Sequence, residues 1–158
     1  MPANLTACYL IKEVIRKQGW VELPAEGTSM YPLIKQGNIC RFVPCEAMKL
    51  KKGEIILFHT LSGSLVAHRL LSVESLNEQV TYRLKGDTNF GADEPVGQEQ
   101  LIGKLTSINK GKYRIKLPSL SVHVWSQMIL LFPILTVFLR AYLNRRCPNE
   151  IYTSSEKN

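Results

Sequence analysis

The chain has little of what nucleic-acid, disulfide and metal proteins need. No arginine-rich helix, helix-turn-helix pattern or interleaving of aromatic with basic residues occurs. Nucleic acid is therefore not expected as a partner, despite a formal net charge of +7. The basic residues are scattered, as on a solvated face, and an anionic phospholipid surface is another partner that such a charge suits. Cysteine is limited to Cys8, Cys40, Cys45 and Cys147, which make no disulfide framework. Cys40 and Cys45 are spaced as metal ligands can be, but no second pair or histidine cluster completes a zinc site. Buried thiols are the expectation, and free thiols favour a reducing compartment. There is no internal repeat, and the first residues do not read as a secretory signal.

What is present fits one domain: 158 residues, 45% apolar and 21% charged. From Asn4 to Gln18, apolar residues at Leu5, Cys8, Tyr9, Ile11, Val14 and Ile15 recur at helical spacing. Arg16-Lys17 lie in the last turn and Gly19 is a stop signal. Residues 1–19 are thus expected as an amphipathic helix, too short and too charged to span a bilayer. Residues 20–117 read as β. Short apolar runs at 20–23, 38–43, 54–58, 65–73, 79–84, 101–108 and 113–117 are separated by turns rich in Gly, Asn and Asp. Gly86 to Gly97 is a loop. These runs predict a small, mostly β domain with a coiled sheet.

Residues 118–146 differ. No charged residue occurs in the 23 positions from Leu117 to Leu139. As one helix they measure about 34 Å, enough for a hydrocarbon core of roughly 30 Å. Trp125 at one end and Arg140, Arg145 and Arg146 at the other stand where interfacial anchors stand. Ser121, His123, Ser126, Gln127 and Pro133 dilute the run, so a peripheral or core-packed helix is the alternative to a spanning one. If the helix spans, the arginines place the polar tail 147–158 in the cytoplasm. The thiols instead suit an inside domain resting on the bilayer.

The chemistry centres on Gly27-Thr28-Ser29-Met30-Tyr31-Pro32, which exposes one hydroxyl between a turn-forming glycine and a proline. Serine needs a base to become a nucleophile. His68 has the best setting among the three histidines, in an apolar strand with Val66 and Leu70; a buried histidine satisfied by backbone is the competing reading. Asp87, in the turn Gly86-Asp87-Thr88-Asn89, can orient an imidazole or cap its own turn. Asn89 and Asp93 are expected to shape the loop, and Lys85 is a rival base. The Ser29 N–H is the obvious oxyanion donor, with the Thr28 hydroxyl as a second candidate.

The ordered motifs Gly27-Thr28-Ser29-Met30-Tyr31-Pro32, Lys51-Lys52-Gly53-Glu54-Ile55-Ile56-Leu57-Phe58, Val66-Ala67-His68-Arg69, Lys85-Gly86-Asp87-Thr88-Asn89 and Ile102-Gly103-Lys104 resemble the signal peptidase I family. More broadly they are similar to the clan shared with the SOS-repressor autoproteases. The resemblance covers about Leu23 to Leu105. Histidine at position 68 is similar to the endoplasmic-reticulum and archaeal branch. It implies a coiled β peptidase domain flanked by the two helical segments, with Ser29 as nucleophile, His68 as base and Asp87 as supporting carboxylate. It further implies an extended precursor or exported peptide as substrate, with small side chains before the cut, and Met30 and Tyr31 lining the groove. Such a Ser-His mechanism needs no metal or organic cofactor. Three departures stand out. Gly37-Asn38 and Gly53-Glu54 replace Gly-Asp turns, Gly27 replaces a serine of the oxyanion hole, and the apolar segment is C-terminal. A self-cleaving regulatory protease and a catalytically silent, membrane-associated peptide-binding module are the alternatives. No Ala-Gly or Cys-Gly dipeptide precedes Ser29 as a self-cleavage site.

Overall fold

Eight strands hydrogen-bond into one antiparallel sheet that curls into a half-barrel, with helices at both ends of the chain. The computed structural model describes residues 3–76 and 79–146. Helix α1 (Ala3–Gln18) comes first, followed by β1 (Val21–Pro24), β2 (Ile39–Val43), β3 (Ile55–His59), β4 (Leu65–Leu76) and β5 (Gln79–Lys85). Then come β6 (Val96–Gly97), β7 (Leu101–Asn109), β8 (Arg114–Lys116), α2 (Leu120–Leu131) and α3 (Ile134–Arg146). The spatial order is β1-β2-β7-β3-β4-β5-β6. Strand β7 is the hub: it pairs with β2 along one edge, and on the other with β3 through Lys104 and then with β8 from Ser107. The two-residue β6, paired with Thr81 and Tyr82, carries no periodic signal and lies inside the segment expected as loop.

Strand β3 explains why its sequence is a continuous apolar run. Ile55 and Leu57 enter one core with Cys8, Ile15, Phe42 and Ile108; Ile56 and Phe58 enter the other with Leu70, Tyr82 and Leu84. A strand alternates its side chains, so burial on both faces requires apolar residues at every position. Helix α1 closes the first core with Cys8 and Ile15, each burial contributing about 1–3 kcal/mol. It ends where the Gly19 N–H donates to the Ile15 carbonyl, with Gly19 at φ 84°. Cys40 packs in the first core and Cys45 against the second, so sheet geometry separates the pair whose spacing suggested a metal. Cys147 and the tail 147–158 lie outside the described residues.

At the two turns that depart from Gly-Asp, the side chain accepts from the backbone three residues earlier. The Lys35 N–H donates to Asn38 Oδ1 at 3.0 Å, and the Lys51 N–H to Glu54 Oε2 at 2.9 Å. Glu54 also takes Lys104 Nζ at 2.9 Å.

The apolar C-terminal run is not one helix. Pro133 has no N–H to continue the ladder, and α2 and α3 meet there at 102°. Among the described residues no single helix is long and apolar enough to cross a membrane; the bent pair reaches that standard only by joint length and composition. The one straight span on which a cytoplasmic tail depended is not formed by the described residues. Trp125 is not an interfacial anchor either, because its indole points into the protein and donates to Asp87 at 2.9 Å.

Candidate active site

Ser29 follows Gly27, which holds φ 71°, a left-handed conformation that other residues adopt only with strain. The chain turns immediately after it: the Tyr31 N–H donates to the Thr28 carbonyl at 3.0 Å, and Tyr31-Pro32 is cis. The turn is tied to the 86–89 segment. The Thr88 N–H donates to the Ser29 carbonyl at 3.0 Å, and the Thr88 hydroxyl to the Thr28 carbonyl at 3.2 Å. Gly86 allows this approach. A Cβ there would stand 3.0 Å from Ser29 Cβ and 2.9 Å from Asn89 Nδ2.

His68 sits on β4 opposite Ile56 of β3, with Phe58 beside its ring. Its Nε2 is 3.1 Å from Ser29 Oγ, and its Nδ1 is 2.6 Å from Asp93 Oδ2. The His68 side chain is 7% exposed, so its two nitrogens have little access to water and are met by these two side chains. The Asp93 N–H donates to the Leu84 carbonyl at 2.8 Å, anchoring the carboxylate to the end of β5. With the proton on Nδ1 facing Asp93, Nε2 presents its lone pair to the serine hydroxyl.

The carboxylate on His68 is therefore Asp93, expected only to shape the loop, and not Asp87. Asp87 binds Arg69 in a fork, Oδ1 to Nε at 2.8 Å and Oδ2 to Nη2 at 2.7 Å, with both side chains 1% exposed. The two Nη1 donors reach the Gly53 carbonyl, at 2.9 Å, and the Ser126 hydroxyl of α2. The Thr136 hydroxyl of α3 donates to the Asp87 carbonyl at 3.0 Å. Asp87 thus holds both C-terminal helices to the underside of the site. A signal for this division exists in the sequence. His68 and Arg69 are consecutive on a strand and must face opposite ways, so one loop carboxylate cannot serve both.

A cavity of about 640 Å³ opens at Ser29 and His68. Its walls come from Leu23 and Ala25 at the end of β1, Val66 and Ala67 of β4, and Phe42 and Leu57 beneath. Two backbone edges face into this region unpaired among the described residues. Strand β1 pairs only with β2, and Leu65–His68 of β4 pair only with β3, because pairing with β5 begins at Arg69.

The other expected residues divide. Thr28 lines the cavity beside Ser29, and Met30 lines it from a 4% exposed position in the core. Tyr31 does not line it: the turn after Ser29 directs its ring onto Tyr142 of α3, at 5.9 Å and 21°. Lys85, the rival base, pairs in register with Arg69 and shares its face, so it borders a separate space of about 180 Å³ between the loop and the α2–α3 elbow. Arg140, read as an interfacial anchor, is half-buried and lines the main cavity with Asn89.

Compared with family models and with curated proteins, the chain matches none.

Proposed function

We propose that the protein is a serine endopeptidase of the signal peptidase type, cutting an extended exported or precursor peptide at a membrane surface. The observation that carries this reading is the continuous line Asp93–His68–Ser29 at the mouth of a cavity bordered by two free strand edges. Ser29 Oγ attacks the scissile carbonyl while His68 Nε2 accepts the hydroxyl proton. Asp93 holds the ring in the required tautomer and stabilises the imidazolium that forms. His68 then gives the proton to the leaving amine as the C–N bond breaks. Water, activated by the same imidazole, cleaves the acyl-enzyme and restores Ser29.

The Ser29 N–H is one oxyanion donor. Asn89, whose amide lies across Gly86 from Ser29 and lines the same cavity, supplies a second where Gly27 offers no side chain. The free edges of β1 and β4 can hold the peptide backbone as an added strand.

The α2–α3 elbow provides the membrane contact. Its inward positions Val122, Ser126, Ile129, Thr136 and Leu143 are buried, yet its outward stripes are also apolar. Val124, Met128, Leu131, Ile134, Val137 and Phe138 are 41–68% exposed. Helices apolar on both faces suit an apolar medium outside, and Arg145 and Arg146 at the end suit lipid headgroups.

Co-production with candidate precursors, followed by mapping of their termini by mass spectrometry, tests the reading. Cleavage is expected with the unaltered chain and lost in Ser29→Ala and in His68→Ala. Cleavage surviving both substitutions removes the assignment. Binding of precursor without any product would instead favour a silent peptide-binding module, and a fall in the intact mass of the protein on incubation would favour self-cleavage.

A further inference from the structure

The cavity at Ser29 mixes apolar walls with the polar side chains of Glu26, Thr28, His68, Thr88 and Asn89, and α3 adds a cation to this lining. Arg140 lines this cavity, with its guanidinium 5.6 Å from the centroid of Phe90. Phe90 follows Asn89, and the Asn89 amide and Ser29 Cβ both touch the space over Gly86. Arg140 therefore stands on the 86–93 loop side of the cavity that opens at Ser29.

Beyond the Phe90 ring, no counter-charge meets Arg140 among the described residues. Arg16, Arg41, Arg69, Arg83 and Arg114 each face a carboxylate. Arg140 faces none among the described residues, although it is half-buried. Among the described residues Glu26 is the one carboxylate lining the cavity; it is exposed and makes no ion pair with Arg140. A half-buried guanidinium without a carboxylate partner gains most from a charged acceptor, which its planar fork can take in two bonds.

We infer that Arg140 forms an anion subsite of the peptide groove, selecting substrates with an aspartate or glutamate in the few residues flanking the scissile bond. The inference rests on reading the cavity as a peptide groove. It adds a specificity that the Ser29–His68–Asp93 line does not supply. A lipid phosphate is the other anion within the reach of a membrane-lying α3, but a headgroup contact does not require the guanidinium to line the cavity that opens at Ser29.

The test uses the full chain carrying Ser29→Ala, so that binding is read without cleavage. Fluorescein-labelled decapeptides of alanine and valine carry a single Asp, Asn or Lys at each position in turn, with affinity followed by anisotropy. At one or two adjacent positions Asp is expected to bind about tenfold tighter than Asn. Adding Arg140→Gln should abolish that preference, Arg140→Lys should keep part of it, and Arg140→Glu should transfer it to the Lys peptide. Unchanged melting temperatures keep these variants comparable.

The inference is overturned if no peptide binds, or if Arg140→Gln weakens the Asp and Asn peptides equally. It is likewise overturned if that variant loses only binding to phosphatidylglycerol vesicles. An Arg140-dependent Asp preference in a chain that cleaves nothing would leave the subsite standing and remove the peptidase reading. Cleavage without such a preference would do the reverse.

Discussion

Asp87 and Asp93 belong to one loop and hold consecutive residues of β4 from opposite faces, Asp87 forking onto Arg69 and Asp93 meeting His68 at 2.6 Å. The first pair is sealed from water, whereas Asp93 keeps 23% of its side chain exposed beside the cavity. One loop therefore performs two tasks, fastening the helical elbow and orienting the base.

The two aspartates should separate in their effects. Asp87→Ala leaves the Arg69 guanidinium buried without its counter-charge, and a loss of about 3–5 kcal/mol in stability is expected. The double substitution Asp87→Leu with Arg69→Met should recover most of that stability. Asp93→Asn should leave the urea midpoint almost unchanged while lowering kcat/KM by roughly 10²–10⁴-fold, through loss of the tautomer that serves Ser29. Equal stability losses in the two single variants would contradict this division.

Gly86→Ala adds a methyl 3.0 Å from Ser29 Cβ and 2.9 Å from the Asn89 amide. The serine or the amide must move by several tenths of an ångström. Because reaction geometry is steep in distance, kcat/KM should drop by about 10–100-fold, with only a modest fall in melting temperature. Steady-state kinetics beside a thermal melt distinguish this from general unfolding.

On the elbow, Leu131 and Phe138 are 68% and 66% exposed, so charging them should leave the fold intact. Each of Leu131→Asp and Phe138→Asp removes about 1.5–3 kcal/mol of apolar transfer into lipid. Co-sedimentation with phosphatidylglycerol vesicles should weaken by ten- to a hundredfold for each. Undiminished sedimentation would show that the elbow does not enter the interface.

Burial pushes the Cys40 thiol up to about 11 from an ordinary 9.0, slightly opposed by the nearby Lys110 charge. The folded state thus binds this proton more tightly than the unfolded chain. Its contribution is present below pH 9 and is lost as pH rises through 11, about 2–3 kcal/mol in all. Cys8 and Cys45, also raised by burial, add the same sign. Lys110, pushed down by burial and then by Lys35, acts oppositely. Comparing the chain with Cys40→Ala isolates the Cys40 share. The stability difference between them should shrink by about 2 kcal/mol between pH 9 and pH 11 in urea titrations, and a constant difference would refute the assignment.

Much of this molecule is legible in its residue order. Apolar alternation and glycine turns mark β1 to β5, β7 and β8, because a strand buried on one or two faces prints its burial directly into the chain. Helical spacing and Gly19 mark α1 in the same way. Ser29 and His68 stand out as a candidate pair because few residue types can serve as nucleophile and base. Which carboxylate serves His68 is decided by direction: His68 and Arg69 face opposite sides of β4, and each draws the aspartate on its own side. The path of the last helices is decided by Pro133 and by the indole, hydroxyl and guanidinium that meet at Asp87, partners up to 49 residues from it along the chain. Local pattern records what a residue must hide or expose. Which distant group meets it depends on how the sheet curls, and that is a property of the whole packed chain.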